Sequence, residues 1–348
     1  MTNKNKVILG MSGGTDSSVT AMLLQEQGYE VIGVTFVFCD GAEHHLEDAQ
    51  NLAVRLGIKH IVYEAKDVFN SKIINYFVSE YMSGRTPVPC VLCNNYLKWP
   101  LLMQIADKEG AYYISTGHYI QTIEKDNKIF ISSGTDPDKD QSFFMWGLPT
   151  EIMKRMLLPL GNKTKAEVRE YAEKKGFKRV SVKKDSLGVC FCLGDYRDFL
   201  RDKEECKNIT EGNFVDINGK YMGKHKGYPF YTVGQRRALG INLQQAHFVK
   251  EILPEKNIII LATDKDMYKT SFKIKDIVFN YPEITSQVLN CRIRYRKQNT
   301  PCNVVLLDNN TAEVILHEPL NAIAPGQAAA FYIDNFVVGG GIIVGDNE

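Results

Sequence analysis

The sequence predicts an α/β protein with an N-terminal doubly wound parallel sheet, a small central mixed domain and a C-terminal β-barrel. Strands alternate with helices from Val7 to about Phe144, which is typical of a parallel sheet covered by helices. A glycine-rich loop, Gly10–Ser18, joins the first strand to the first helix. From Glu211 onward the pattern changes to short strands separated by frequent turns, which favours a barrel. These changes predict three domains, at residues 1–205, 206–268 and 269–348.

The elements of the N-terminal domain follow from the spacing of its apolar residues. Short apolar runs predict strands, and apolar positions at helical spacing predict helices. The predicted order is a strand at 7–9, a helix at 17–27, a strand at 29–38, a helix at 46–56, a strand at 59–63, a helix at 97–109, a strand at 112–115 and a helix at 163–175. Pro87 and Pro89 predict an extended loop before the helix at 97–109.

Two residues that follow the strand at 112–115 are candidate ligand contacts. Ligands of open α/β sheets collect at the carboxyl ends of the strands, so Gly117 and His118 are expected near the glycine-rich loop. His118 fits equally well a buried, hydrogen-bonded structural histidine.

The C-terminal part shows the alternation of half-buried strands, as in Phe272–Ile277 and Cys291–Arg296. Asp308–Asn310 predicts a hairpin turn between two such strands. Gly339–Gly341 predicts a bend or a close approach in a late strand.

Composition excludes some classes of protein. The 348 residues carry 42 basic and 41 acidic side chains, a formal net charge of +1, so binding of a nucleic acid would need local basic patches. No apolar stretch approaches the length of a membrane span and no apolar signal region precedes the first strand, so we expect a cytoplasmic protein without a membrane partner. Eight cysteines in this context are expected to be reduced, catalytic or metal-bound rather than a disulfide framework.

The glycine-rich loop carries the strongest motif. Backbone N–H groups at the start of the following helix, together with its dipole, attract an anion. The loop lacks the Gly-Lys-Ser/Thr ending of a Walker A motif. Its residues Ser12–Ser17 resemble the pyrophosphate loop, Ser-Gly-Gly-x-Asp-Ser, of the ATP pyrophosphatase class, whose members activate a substrate oxygen with AMP and release pyrophosphate. The alternative is an ordinary glycine turn.

Two cysteine clusters allow three interpretations. Cys90 and Cys93 form Cys-x-x-Cys, and Cys190 and Cys192 form Cys-x-Cys. All four thiolates could hold a structural zinc ion, although Cys-x-Cys is an unusual half-site. One cysteine could carry a persulfide that another resolves. Three could hold an iron–sulfur cluster with one iron open to sulfur or substrate.

The remaining thiols have no paired context, and small buried apolar side chains are the default interpretation for them. They are Cys39, Cys206, Cys291 and Cys302.

An adenylating loop combined with reactive cysteines points to sulfur insertion. AMP converts a poor oxygen leaving group into a good one, and a sulfur nucleophile then displaces it. Two other classes remain open. An amidating or lysine-attaching enzyme of the same class would use nitrogen and would not need the thiols. A non-enzymatic, zinc-stabilised tRNA-binding protein would unfold on chelation and release no pyrophosphate.

The whole chain resembles the bacterial tRNA-specific 2-thiouridylases, the MnmA family, on motifs that occur in the same order. The motifs are Gly10–Ser18, Gly84–Pro87, Leu92–Asn94, Thr116–Tyr119, Lys139–Ser142, Lys184–Ser186 with Gly188–Phe191, Tyr231–Arg236, Arg294–Arg296 and Pro325–Gln327. The resemblance implies an N-terminal domain of the ATP pyrophosphatase (PP-loop) type, a small central domain and a tRNA-contacting β-barrel. It implies ATP- and Mg²⁺-dependent 2-thiolation of the wobble uridine of tRNA, with a cysteine desulfurase or sulfur-relay protein as sulfur donor.

The resemblance also implies roles for individual residues. Cys190 would carry the persulfide, and Cys93 would be the nucleophile that ends in a disulfide with it. Asp16 would help to position phosphate and Mg²⁺. The implied ATP contacts are Gly10, Met11, Ser12, Gly13, Gly14, Thr15, Asp16, Ser17, Phe36 and Gly117. The implied tRNA contacts are Val88, Pro89, Cys90, His118, Lys139, Asp140, Gln141, Arg294, Tyr295 and Gln327.

Two segments depart from the family pattern. The family commonly carries Asn-Pro-Asp before Leu-Cys-Asn, whereas this chain has Val88-Pro89-Cys90. Cys90 in place of the aspartate makes an iron–sulfur cluster on Cys90, Cys93 and Cys190 an alternative to the persulfide route, with Cys192 as an additional thiol. The segment after Phe36 is also shorter than in many relatives.

Overall fold

The computed structural model describes residues 2–40, 43–177, 188–192, 194–295 and 299–346, with only the backbone of residues 43–45. The strands are β1 Asn3–Gly10, β2 Glu30–Val37, β3 Lys59–Glu64, β4 Ala111–Ser115, β5 Ile120–Lys125, β6 Lys128–Ser133, β7 Met156–Leu157, β8 Gly212–Asp216, β9 Tyr221–His225, β10 Phe248–Leu253, β11 Ile258–Ala262, β12 Tyr268–Phe279, β13 Leu289–Arg292, β14 Thr300–Leu306, β15 Thr311–Asn321, β16 Ala328–Ile333 and β17 Phe336–Ile343.

The α-helices are α1 Thr15–Glu26, α2 Glu43–Leu56, α3 Lys66–Phe69, α4 Asn75–Met82, α5 Pro89–Cys93, α6 Trp99–Lys108, α7 Thr150–Met153, α8 Lys165–Lys174 and α9 Tyr196–Arg201. Asn70–Ile74 and Asn94–Lys98 form π-helical turns. Short 3-10 segments lie at Ser142–Phe144, Glu204–Cys206, Tyr228–Phe230, Pro254–Lys256, Asp264–Met267 and Pro282–Ser286. No described helix has the length and apolar character that a membrane crossing requires.

The chain divides into two compact units. The first comprises Met1–Ile73, Cys90–Leu187 and Ile333–Val338, and the second comprises Ile74–Pro89, Gly188–Tyr332 and Gly339–Glu348.

The first unit contains the predicted parallel sheet, with strand order β3-β2-β1-β4-β7. Its central strand β1 is buried on both faces because Val7, Ile8 and Leu9 have no solvent-exposed surface. Val7 and Leu9 belong to the core that α1 and α8 cover, while α6 contacts β1 and β4. The strand order reverses between β1 and β4, the point at which doubly wound sheets bind ligands.

An antiparallel hairpin of β5 and β6 is present in the first unit and was not predicted from the sequence. It turns at Asp126 and Asn127, which both have positive φ, at 52° and 59°. β6 pairs in addition with Phe336 and Val337.

The segment with the first cysteine pair differs from its prediction as an extended loop. Pro89 begins the helix α5, which contains both Cys90 and Cys93. Proline is accepted in the first turn of a helix because the N–H group that it lacks has no partner there. The prediction of an extended loop was therefore wrong from Pro89 onward.

The second unit contains a mixed four-stranded β-sheet and an antiparallel β-barrel. β10-β11-β8-β9 form a four-stranded sheet in which β11 and β8 run parallel. β12-β15-β14-β13-β16-β17 form a barrel that closes through the pairing of β12 with residues 339–343 of β17. The predicted fold class is confirmed.

Details of the barrel confirm two predictions and correct one. Asp308 stabilises the predicted turn between β14 and β15, because its carboxylate accepts hydrogen bonds from the backbone N–H groups of Asn310 and Thr311. A Cβ on Gly339 would lie 2.5 Å from the carbonyl oxygen of Val278, so two strands approach closely there. The alternating segment at 291–296 is not a continuous strand, because β13 ends at Arg292.

Candidate functional site

The glycine-rich loop forms the predicted passage from β1 to α1. Gly13 has a φ of 64°, and Gly14 is the extended N-cap of α1. Within the described residues no side chain caps α1 at Gly14, so the start of this helix can receive an anion. The hydroxyl of Ser18 donates to the Gly14 carbonyl oxygen over 2.7 Å, and the Ser17 hydroxyl accepts from the backbone N–H of Ser12 over 3.2 Å. These bonds hold the loop in one shape.

Gly117 lies directly against this loop, as predicted. A Cβ at this position would stand 2.8 Å from the backbone nitrogen of Ser17 and 2.9 Å from the carbonyl carbon of Asp16. Only a residue without a side chain allows this approach. The segment after β4 thus meets the start of α1 at the point where the strand order of the sheet reverses.

Asp16 is held by two side chains that were not identified from the sequence. Lys165 Nζ lies 2.8 Å from Oδ1 and 2.9 Å from Oδ2 of Asp16. The Tyr119 hydroxyl donates to Oδ1 over 2.6 Å. Lys165 is 149 positions away in the chain. A lysine in the first turn of the helix predicted at 163–175 opposes the helix dipole, and this conflict is the signal that could have identified it.

Met11 lies in the glycine-rich loop directly after β1, and Phe36 lies near the end of the neighbouring strand β2. The Thr35 hydroxyl donates to the carbonyl oxygen of Met11 over 2.9 Å and lies 2.9 Å from Nε2 of His60. Burial lowers the pKa of His60, so its ring is neutral near pH 7. Phe36 is half-buried and stacks on Phe38 with ring centroids 5.3 Å apart.

Cys93 closes α5 and lies in the protein interior. Burial raises the pKa of its thiol, and the Lys98 ammonium partly opposes this effect. Asn94, the first residue of the following π-helical turn, donates from its side chain back to the Cys90 carbonyl oxygen over 2.8 Å. Both polar atoms of the buried Asn95 side chain lack a partner among the described residues. Lys98 and Asn95 had no signal in the sequence analysis.

His118 has the contacts of a buried structural histidine. Its Nδ1 atom lies 2.5 Å from the hydroxyl oxygen of Thr116, and its ring lies 5.9 Å from that of Trp99. Burial is the main reason that its pKa lies well below the usual value.

Lys139, Asp140 and Gln141 are half-buried on the turn after the hairpin. The Asp140 carboxylate accepts hydrogen bonds from the backbone and the hydroxyl of Ser142. Oε1 of Gln141 accepts from the backbone N–H of Tyr119 over 3.1 Å. This turn therefore supports the residue that donates to Asp16.

In the second unit Cys190 is exposed beside a half-buried aromatic neighbour, Phe191. The Phe191 ring packs on Phe77 and Phe199 with centroids 5.1 Å and 5.3 Å apart. The aromatic contacts fix the backbone while the adjacent Cys190 remains accessible. Cys192 is buried, and this burial raises the pKa of its thiol more than the nearby carboxylates of Asp195 and Asp198 do. The motif residues Lys184–Leu187, which precede this turn, lie outside the described residues.

The segment that leads to the first cysteine pair is clamped by Gln327. Its amide Nε2 donates to the carbonyl oxygens of Thr86 and Pro87, each over 3.0 Å. The Val88 backbone N–H donates to the Tyr76 hydroxyl over 3.3 Å. Val88 and Pro89 are buried.

Arg294 is an exposed cation on the second unit. It donates to the carbonyl oxygens of Asn321 and Ala322 over 3.3 Å and 3.4 Å. Tyr295 is half-buried, and Arg296 lies outside the described residues.

The other cysteines follow their default interpretation in three cases. Cys206, Cys291 and Cys302 are buried, whereas Cys39 is half-buried. In the part of the chain that the structure describes, no three His, Cys, Asp or Glu side chains form a group suited to a metal ion.

Family models match the chain in succession. They are a tRNA methyl transferase HUP domain over residues 5–194, a tRNA methyl transferase PRC-barrel domain over 197–263 and an aminomethyltransferase beta-barrel domain over 269–343.

Curated relatives match over almost the whole length. The tRNA-specific 2-thiouridylase MnmA 2 of Phocaeicola vulgatus is 54% identical over 346 residues, covering 98% of this chain and 99% of the relative. The tRNA-specific 2-thiouridylase MnmA 1 of Bacteroides fragilis is 54% identical over 361 residues, covering 99% and 98%. Among solved structures, the U34-tRNA thiolase NcsA from Methanococcus maripaludis, solved with its [4Fe-4S] cluster, is 19% identical, with a TM-score of 0.39 over 57% of this chain and 65% of that one.

Proposed function

We propose that this chain, which belongs to the tRNA-specific 2-thiouridylase family, catalyses the ATP-dependent 2-thiolation of the wobble uridine of tRNA. The observation that carries the proposal is the uncapped start of α1 against Gly117, in a chain 54% identical to such enzymes over nearly its whole length. The exposed Cys190 beside the fixed Phe191 supplies an accessible sulfur carrier, which supports sulfur rather than nitrogen as the incoming atom.

The first step is adenylation of the base. Residues Gly10–Ser17 bind the ATP phosphates, Phe36 and Gly117 contact the adenosine, and Asp16 binds the Mg²⁺ that accompanies ATP. The uridine O2 atom attacks the α-phosphorus and forms an oxygen–phosphorus bond. The bond from the α-phosphorus to its bridging oxygen breaks, and its electron pair leaves with pyrophosphate. The uracil N3 proton passes to solvent.

The second step transfers sulfur from Cys190. The terminal sulfur of a Cys190 persulfide attacks C2 of the base, and AMP leaves with the electron pair of the carbon–oxygen bond. The Cys93 thiolate then attacks the Cys190 sulfur, and the sulfur–sulfur electron pair stays with the sulfur on C2. The products are 2-thiouridine and a disulfide between the two cysteines. An external dithiol restores both thiols, and a cysteine desulfurase or sulfur-relay protein reloads Cys190.

The tRNA contacts belong to the same proposal. They are Val88, Pro89, Cys90, His118, Lys139, Asp140, Gln141, Arg294, Tyr295 and Gln327. The exposed guanidinium of Arg294 suits a phosphate contact, whereas the buried contacts of His118 and Gln327 suit positioning of the segments that carry them. We assign adenylation and sulfur transfer to residues 1–205, with 206–268 as a central domain and 269–348 as the tRNA-contacting barrel.

A second route is favoured by the position of Cys90. Cys90 and Cys93 are three residues apart on the helix α5 and thus share one face, which suits two ligands of one cluster. Cys190 would be the third ligand of a [4Fe-4S] cluster. Such a cluster would supply an open iron that binds the sulfur to be transferred.

One experiment separates these possibilities. The full chain is purified without oxygen, analysed for iron, zinc and sulfide, and assayed for 2-thiouridine on unmodified tRNA with MgATP. Metal-free protein that thiolates tRNA with a persulfide donor supports the Cys190 route, and activity that requires bound iron supports the cluster. Absence of 2-thiouridine under both conditions overturns the proposed function. Stoichiometric zinc without pyrophosphate release would identify a zinc-stabilised binding protein instead.

A further inference from the structure

Lys165 is a buried cation whose position the fold alone does not explain. It is 7% exposed, and its Nζ atom contacts both carboxylate oxygens of Asp16, at 2.8 Å and 2.9 Å. Removing an ammonium group from water is costly, and a buried ion pair seldom stabilises a fold more than apolar side chains of similar volume. The pair is therefore better explained by the chemistry of the loop that holds Asp16.

The helix that begins at Lys165 does not need this charge. Thr164 caps α8 through a hydrogen bond from the backbone of Glu167, and Glu167 completes a capping box. A positive charge in the first turn opposes the helix dipole, whereas the acidic Glu167 there complements it. Local stability would favour an apolar or acidic residue at position 165.

The anionic partner of Lys165 stands in the first turn of α1, beside the proposed phosphate site. A carboxylate there repels phosphate, and the Lys165 ammonium offsets its charge. The Tyr119 hydroxyl bond, 2.6 Å long, holds Asp16 independently of Lys165. Lys165 can therefore change partner while Asp16 stays in place.

We infer that Lys165 binds the β- and γ-phosphates of ATP and stabilises pyrophosphate as it leaves, exchanging its contact with Asp16 for contacts with phosphate oxygens. This inference rests on the proposed adenylation. As the bond from the α-phosphorus to its bridging oxygen breaks, the negative charge increases on pyrophosphate, and the ammonium offsets it. Lys165 stays protonated throughout, so no proton transfer is involved. The Asp16 carboxylate, no longer paired with Lys165 but still held by Tyr119, is then available to bind the Mg²⁺ of MgATP.

The test is the binding of metal-free inorganic pyrophosphate to the full chain, measured by calorimetry. Lys165→Met should weaken the binding by about 30-fold, because a charge-assisted contact is lost. Asp16→Asn should leave it unchanged or strengthen it, because the ammonium no longer has a carboxylate partner. The matched control is Lys174→Met, an exposed lysine at the last position of α8, which should bind like wild type.

Opposite responses of Asp16→Asn and Lys165→Met distinguish the inference from a structural salt bridge, whose loss would weaken binding equally in both variants. Equal weakening overturns the inference, as does a wild-type protein that binds ATP but no pyrophosphate. If Lys165→Met alone does not fold, as judged by its thermal unfolding, the double variant Asp16→Asn/Lys165→Met is compared with Asp16→Asn and should again bind about 30-fold more weakly.

The same wild-type preparation is assayed for 2-thiouridine, which separates the two proposals. If the wild type forms 2-thiouridine and Lys165→Met binds pyrophosphate as tightly as the wild type, only the role of Lys165 is overturned. If Lys165→Met weakens pyrophosphate binding but the wild type forms no 2-thiouridine under any condition, the proposed function is overturned. The assignment of Lys165 to a pyrophosphate site then still holds.

Discussion

Gly117 touches the backbone of Ser17 so closely that a Cβ on Gly117 would stand 2.8 Å from the Ser17 nitrogen. The two residues lie 100 positions apart in the chain. Their contact joins the segment after β4 to the start of α1, where phosphate is expected to bind.

Gly117→Ala should disturb this contact and raise the KM for ATP. The methyl group must displace the first turn of α1, at a cost of about 2 kcal/mol, which corresponds to a KM increase of about 30-fold. Steady-state kinetics with ATP as the varied substrate measures it. Gly57→Ala is the control, because it strains the backbone at a positive φ of 64° but adds a Cβ with no atom within 4 Å, so the KM for ATP should not change. A normal KM in Gly117→Ala would contradict the assigned site.

Cys190→Ser should abolish 2-thiouridine formation and retain tRNA-dependent pyrophosphate release, because the serine cannot carry a persulfide. Cys93→Ser should instead trap tRNA on Cys190 as a mixed disulfide that a dithiol cleaves. Gel electrophoresis with and without the dithiol detects this adduct. Cys206→Ala, at a buried thiol outside the site, is the control and should retain activity. Full activity of Cys190→Ser would contradict the sulfur-transfer step.

Gln327→Ala should destabilise the fold, because the carbonyl oxygens of Thr86 and Pro87 each lose a donor. We expect a loss of about 2 kcal/mol in the free energy of unfolding, measured by denaturant titration. Gln287→Ala removes an exposed side chain and should change stability by less than about 0.5 kcal/mol. Equal stability of the two variants would show that the two hydrogen bonds of the Gln327 side chain make no net contribution to the free energy of unfolding.

Acid should weaken the fold through His225. This side chain is buried in the second unit, and burial lowers its pKa to about 4 from an unfolded value of 6.5. The unfolded chain therefore binds more protons between these two values, so the contribution of His225 to stability is complete above pH 6.5 and is lost as the pH falls toward 4. The shift sets an upper limit of about 3 kcal/mol on that loss.

Denaturant unfolding of wild type and His225→Asn at several pH values between 4 and 7 tests this expectation. Wild type should lose more stability than the variant on acidification. Parallel pH profiles would assign the acid sensitivity to other groups.

Local sequence was sufficient where one continuous segment forms the structure. Gly13 and Gly14 permit the loop, and the apolar residues before it form β1, so this motif could be placed without any distant contact. Two errors have local explanations. Pro87 and Pro89 predict an extended loop, but proline also begins helices, and Pro89 begins α5. The hairpin β5–β6, absent from the prediction, turns at Asp126 and Asn127, two residue types that favour positive φ.

The sequence by itself determined the alternation of strands and helices, the phosphate loop and the two cysteine clusters, because backbone preferences and residue chemistry act over a few neighbouring positions. The tertiary structure alone decided which side chains surround the loop. Tyr119 and Lys165 reach Asp16 across 103 and 149 positions of sequence. Cys93 is buried, whereas Cys190 is exposed. Partners and burial depend on the packing of distant elements, which periodicity in one segment does not encode.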